Sequence, residues 1–124
     1  MKTYTITRKV EENMLAVNVK SGSLRVLATP VVVAIMEEAS SLLADTVLDE
    51  GLTTVGTKIE IEHISPTPFG GEIFVESTLV RNDGRFFEFE VTASDSMGVI
   101  ARGKHNRVAV NSEKFQAKAD DKLD

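Results

Sequence analysis

His63 is the residue whose type and position first suggest chemistry. It closes an alternating run, Val55, Thr57, Ile59, Ile61 and His63, just before Pro66 and Pro68 fix the chain's exit. Imidazole is the side chain whose ordinary charge change falls near physiological pH, which suits a general base. A histidine satisfied by a backbone carbonyl fits the same position, so the spacing leaves the two readings level. Glu37 and Glu38 are the carboxylates that could partner it. Adjacent acids in the first half of a helix are ordinarily solvated and complement the helix dipole. Glu37, however, falls among Val33, Ser40, Ser41 and Leu48, which leave little room for a fully solvated acid. Thr29 before Pro30 reads first as a helix N-cap, because its oxygen can accept an orphan backbone N–H and proline loses nothing there. A helix start also offers free N–H groups and positive potential for an oxyanion or a phosphate. Arg102, Lys104, His105 and Arg107 form a basic strand in an acidic protein. That strand is either an edge kept soluble by charge or a phosphate-binding surface.

Other chemistries lack their residues. The 124 residues contain no cysteine, so disulfides, thiolate zinc sites and a cysteine nucleophile are excluded, and covalent chemistry must use oxygen. No GxSxG elbow, phosphate loop, GxGxxG or metal-spaced His/Asp/Glu cluster occurs, so no metal or cofactor is expected. The net charge of −5 argues against a nucleic-acid surface. No apolar stretch follows Lys2 and no apolar run reaches the roughly 18 residues that span a bilayer, so the expectation is a cytoplasmic protein without a membrane partner.

The elements that must position these residues follow from periodicity. One domain is expected over residues 1–110, with a polar tail at 111–124 that is frayed or a short solvated helix. Thr3 to Val10 alternates as a strand, and Met14 to Val19 reads as a short extended piece before a Ser21-Gly22-Ser23 turn. A helix is expected from Thr29-Pro30 to Gly51, about twenty residues and roughly 30 Å long. Val31, Val32, Ile35, Ala39, Leu42, Leu43 and Thr46 make its sheet-facing stripe, and the opposite face needs a second subunit or a ligand as cover. Thr29 and Glu37 are separated by roughly 12 Å along the helix axis, so they cannot touch within one subunit. From Thr53 the period drops to two: a strand to His63, a second from Ile73, an Asn82-Asp83-Gly84 hairpin, a strand through Phe87, Phe89, Val91 and Ala93, and a last one from Val99 to Val110. The fold class is α+β, a long antiparallel sheet wrapped around one central helix.

The runs VKSGSLRVLATPVVVAIMEEAS, VGTKIEIEHISPTPFGG and ARGKHNRVAV resemble the fluoroacetyl-CoA thioesterase-like family of hotdog-fold proteins, over about Val19 to Val110. The specific parts are the ATP tripeptide with an acid eight residues beyond Thr29, the VGT before the long strand, and the strand-ending His63. The resemblance implies a hotdog fold, a homodimer with acyl-CoA near the subunit interface, and catalytic positions at Thr29, Glu37 and His63. His63 would act as general base, Glu37 would orient it or attack, and Thr29 would be nucleophile or positioning hydroxyl. Gly56 matches the glycine placed beside the acyl group; on the phosphate-binding reading of the basic strand, Arg102, Lys104, His105 and Arg107 join it in binding substrate. Specialised fluoroacetyl members cover the acyl pocket with aromatic residues before the helix. This chain has Lys20-Ser21-Gly22-Ser23-Leu24 there, so a short or medium acyl group is expected. A non-catalytic acyl-CoA or small-ligand binding protein is the alternative, and a hotdog dehydratase or hydratase ranks below it.

Overall fold

Five strands carry the fold: β1 (Thr3–Lys9), β2 (Leu52–His63), β3 (Glu72–Asp83), β4 (Phe86–Asp95) and β5 (Gly98–Asn111). The computed structural model describes residues 1–123. All neighbouring strands pair antiparallel, in the order β1-β3-β4-β5-β2. The β3–β4 and β4–β5 turns are tight because Gly84 and Gly98 adopt φ of 61° and 133°, conformations that side chains resist. A one-turn helix α1 (Ala16–Val19), the long helix α2 (Thr29–Asp45) and a terminal helix α3 (Ser112–Asp120) complete the set.

The sheet curls around α2, as the α+β expectation requires. Ile73 and Val75 of β3 and Phe87, Phe89, Val91 and Ala93 of β4 are buried against Ile35, Met36, Ala39 and Leu43 of α2. Alternation in the strands and a helical stripe therefore meet in one core. The stripe is turned from its expected setting. Met36, Ser40 and Ala44 are buried, whereas Leu42 is 37% exposed. Ser40 is tolerated inside because its hydroxyl donates to the Met36 carbonyl and pairs with Ser77 Oγ, each at 2.8 Å.

Four local expectations are corrected. Helix α2 is capped by the backbone of Ala28, so Thr29 is its first residue and not its N-cap. The helix also ends at Asp45 and not near Gly51; the Thr46 hydroxyl closes it by donating to the Leu43 carbonyl at 2.7 Å. Met14 to Val19 is not extended. Glu12–Met14 forms a 3-10 turn and α1 follows, fixed by the Asn18 amide donating to the Glu12 carbonyl at 2.7 Å and by Lys20 at φ 64°. The basic strand β5 lies between β4 and β2, so it is no edge strand.

A fifth difference shapes the site. The register of β2 shifts between Gly56 and Lys58, so Thr57 is a bulge and the inward parity changes there. Val55 and Thr57 do not share a face with Ile59, Ile61 and His63; buried Thr54 and side-chain-free Gly56 take the inward positions before the bulge. The tail forms α3, capped by the Asn111 side chain accepting from the Lys114 N–H at 3.0 Å, and α3 buries no residue. Among the described residues no helix is long and apolar enough to cross a membrane.

Candidate active site

Because Ala28 supplies the backbone cap, the Thr29 hydroxyl is not spent on the helix. Its Oγ1 stands 2.7 Å from Nδ1 of His63, which the last residue of β2 delivers to the start of α2. A hydroxyl at that distance can donate to an unprotonated Nδ1, the arrangement in which a base activates an alcohol. His63 Nε2 is buried with no hydrogen-bond partner among the described residues. The couple lines an open cleft of about 280 Å³ with Ala16, Ala28, Ile64 and Pro66.

Further along α2, a second group forms around Gly56. A Cβ at that position would lie 3.0 Å from Glu37 Oε2, 3.2 Å from His105 Cε1 and 3.4 Å from Arg107 Nη1. Glycine is thus what lets a carboxylate, an imidazole and a guanidinium converge on the strand. Glu37 keeps 42% of its side chain exposed and sits 3.9 Å from Arg107 Nη1. Arg107 is 8% exposed and well held. Its Nε donates to Thr54 Oγ1 at 2.7 Å, its Nη2 to the Thr54 carbonyl at 2.9 Å, and its Nη1 to His105 Nε2 at 3.2 Å. A guanidinium only donates, so His105 Nε2 must accept, and the Nδ1–H donates to the Lys58 carbonyl at 2.7 Å. His105 is therefore neutral. Burial pushes its pKa below the usual histidine value; the Lys58 carbonyl opposes the shift and the Arg107 charge adds to it. Burial lowers Arg107 too, against the pull of Glu37 and Asp45.

The two groups are separate within one chain, as the spacing along the helix demands. Glu37 makes no hydrogen bond to Thr29 or His63 among the described residues, so the expected orienting of His63 by Glu37 is not made inside a single subunit. Glu38 is engaged elsewhere, accepting from Arg8 of β1 at 2.8 Å. The basic strand divides as well. Arg102 and Lys104 face away from the helix, beside Glu62 and Glu60 of β2 across the ladder. They line an open depression of about 500 Å³ on the sheet's outer face. His105 and Arg107 face inward. The expectation that His105 meets substrate phosphate is corrected: the ring is 1% exposed and each nitrogen already has a partner. Thr54, which fixes Arg107, was not foreseen; the one sequence signal near it is Gly56, two residues on in the VGTK run. No cluster of three or more metal-ligating side chains occurs among the described residues.

Residues 10–113 match the family described as fluoroacetyl-CoA-specific thioesterase. The chain belongs to that family. The curated fluoroacetyl-CoA thioesterase of Streptantibioticus cattleyicolor is 34% identical over 93 residues, which are 75% of this chain and 67% of that protein. A solved structure of the fluoroacetyl-CoA thioesterase FlK is similar with a TM-score of 0.92 at 28% identity, covering 98% of this chain and 94% of the other. A hot-dog-like protein from Thermanaerovibrio acidaminovorans shares the fold at 20% identity, with a TM-score of 0.89 over 99% of this chain and 91% of its own. As a member of the fluoroacetyl-CoA-specific thioesterase family, the chain is a hotdog-fold thioester hydrolase.

Proposed function

We propose that this protein hydrolyses a short or medium acyl-CoA thioester, with His63 as general base and the Thr29 hydroxyl as the group it activates. The observation that carries this reading is the 2.7 Å contact between Thr29 Oγ1 and His63 Nδ1 at the wall of an open cleft. As Oγ1 attacks the thioester carbonyl, its proton passes to Nδ1. The carbon–sulfur bond then breaks, and the departing CoA thiolate takes that proton. Water, deprotonated in turn by His63, releases the acid and restores Thr29. The positive end of α2 favours the oxyanion formed at each addition.

Gly56 is the open wall beside the acyl group, with Glu37 reaching the same space. The roughly 12 Å between Thr29 and Glu37 is bridged by substrate at the interface of a cytoplasmic homodimer, where α2 of a second subunit supplies the cover its outer face lacks. Arg102 and Lys104, exposed on the sheet's outer face, serve the coenzyme's phosphates. The absence of aromatic residues at Lys20 to Leu24 supports an acyl group other than fluoroacetyl as the preferred substrate.

A panel of acyl-CoA esters followed by thiol release tests class and substrate together. The expected result is turnover of short or medium esters that falls by about 10²-fold or more in His63→Ala, with the fold retained. Unchanged turnover in that variant would defeat the assignment of the base. Calorimetric binding of CoA esters without thiol release would replace it with the non-catalytic binding protein. Sedimentation of a monomer at working concentration would remove the homodimer.

A further inference from the structure

We propose that His105 is a positioning residue, whose neutral ring holds the Arg107 guanidinium in the plane that faces Glu37. For its kinetic consequence this rests on the thioesterase reading above; the geometry it uses does not. Three of the five guanidinium N–H groups are committed, to Thr54 Oγ1, to the Thr54 carbonyl and to His105 Nε2. Thr54 alone holds the Nε and Nη2 side of the fork. The bond to His105 holds Nη1, the nitrogen nearest Glu37 at 3.9 Å.

The ring cannot swing to follow a wandering guanidinium. Its Nδ1–H is tied to the Lys58 carbonyl, immediately after the Thr57 bulge, and the ring lies beside Phe89 with centroids 6.2 Å apart and planes tilted by 30°. The bulge therefore has a use: it aims a carbonyl of β2 at Nδ1 and thereby selects which nitrogen accepts from Arg107. The charged groups around the ring are few. Glu37 faces it from α2 and Arg107 from its own strand, Asp45 acts on Arg107, β4 offers only the Phe89 ring, and the Lys58 ammonium is drawn to Glu60 at 3.4 Å. A proton arriving on Nε2 would replace the acceptor with a donor beside a guanidinium. Arg107 would then leave the Glu37 side, and the carboxylate at the Gly56 wall would lose its fixed counter-charge.

Two substitutions separate this role from a merely structural one. His105→Gln leaves an amide oxygen near the Nε2 position and gives up the Nδ1 donor, whereas His105→Asn leaves a donor near Nδ1 and gives up the acceptor. Thiol release is measured from about pH 5 to 8, together with melting temperature and the carboxyl carbon resonance of Glu37. The expected result is a kcat about tenfold lower in His105→Asn with KM little changed, near-wild-type kcat in His105→Gln, and a Glu37 carboxyl resonance displaced only in the Asn variant. Equal losses in the two variants that follow their melting temperatures, or a Glu37 carboxyl resonance unmoved in His105→Asn, would overturn the proposal. If the wild type releases no thiol, the thioesterase reading fails while the Glu37 resonance still decides the positioning role. If His105→Asn does not fold, nitrogen resonances of the wild-type ring decide it: an unprotonated Nε2 below the usual histidine pKa supports the proposal, and a protonated Nε2 at neutral pH ends it.

Discussion

A threonine beside proline at a helix start usually spends its oxygen on the helix, whereas Thr29 is placed one position too late to do so. Its hydroxyl meets His63 because Ala28 has already made the turn into α2 with backbone alone. The distinction is measurable, because a true cap costs about 1 kcal/mol when removed and a hydroxyl aimed at an imidazole costs activity instead. Thr29→Ala should stay within about 0.5 kcal/mol of wild type in stability yet lose about 10²-fold or more in thioester turnover, while Thr29→Ser keeps most of it. Denaturant titration and thiol release on the same samples check this; a marked loss of stability with activity intact would return Thr29 to the cap.

Strand β2 carries two demands, to pair with β5 and to wall the candidate site, and two glycines, Gly103 of β5 and Gly56 of β2 itself, answer them differently. At Gly103 of β5 an added Cβ would lie against the Glu60 carbonyl oxygen and 2.8 Å from the Ile61 Cα, atoms of the β2 backbone that cannot give way without separating the strands. Gly103→Ala is therefore expected to destabilise the protein by about 3 kcal/mol or more. At Gly56 the nearest atoms are the ends of Glu37, His105 and Arg107, which can shift. Gly56→Ala should cost only about 1 kcal/mol, with the loss appearing in kcat/KM as Glu37 is pushed aside. Chemical denaturation of the two variants checks the contrast, and equal stabilities would show that the strands are not in van der Waals contact at Gly103.

Over the whole molecule the acid sensitivity of the fold should trace largely to one buried ring. Burial holds His105 below its ordinary 6.5, so an unfolded chain takes up a proton that the folded chain refuses. Stability is then complete above 6.5 and falls as pH drops through it. The carboxylate of Glu12, lowered from 4.5 chiefly by its hydrogen bonds with Arg25, contributes a loss of its own only at lower pH. Denaturation midpoints between 6.5 and 4.5 should decline in the wild type and stay nearly level in His105→Gln. A wild-type midpoint flat across that window would mean that the ring is charged in the folded protein or is not buried.

Much of this protein was legible in one dimension because periodicity and turn chemistry act locally. The alternation of Ile73 and Val75 and of Phe87, Phe89, Val91 and Ala93, the Asn82-Asp83-Gly84 hairpin and the apolar helix from Thr29-Pro30 sufficed for an α+β sheet around a helix. Helical rise alone kept Thr29 and Glu37 apart. The bulge at Thr57 was not legible, since it depends on how β2 meets β5 and it reverses which residues before it point inward. For the same reason the basic strand could not be divided in advance: alternation says that Lys104 and His105 face opposite ways, but only the sheet's curvature around α2 decides which way is in. Whether Thr29 caps the helix or bonds to a distant side chain also lay in three dimensions, because it rests on Ala28 and on a His63 brought from 34 residues away. Local patterns follow from backbone geometry, whereas a hydrogen bond between distant residues exists only once packing has fixed the faces.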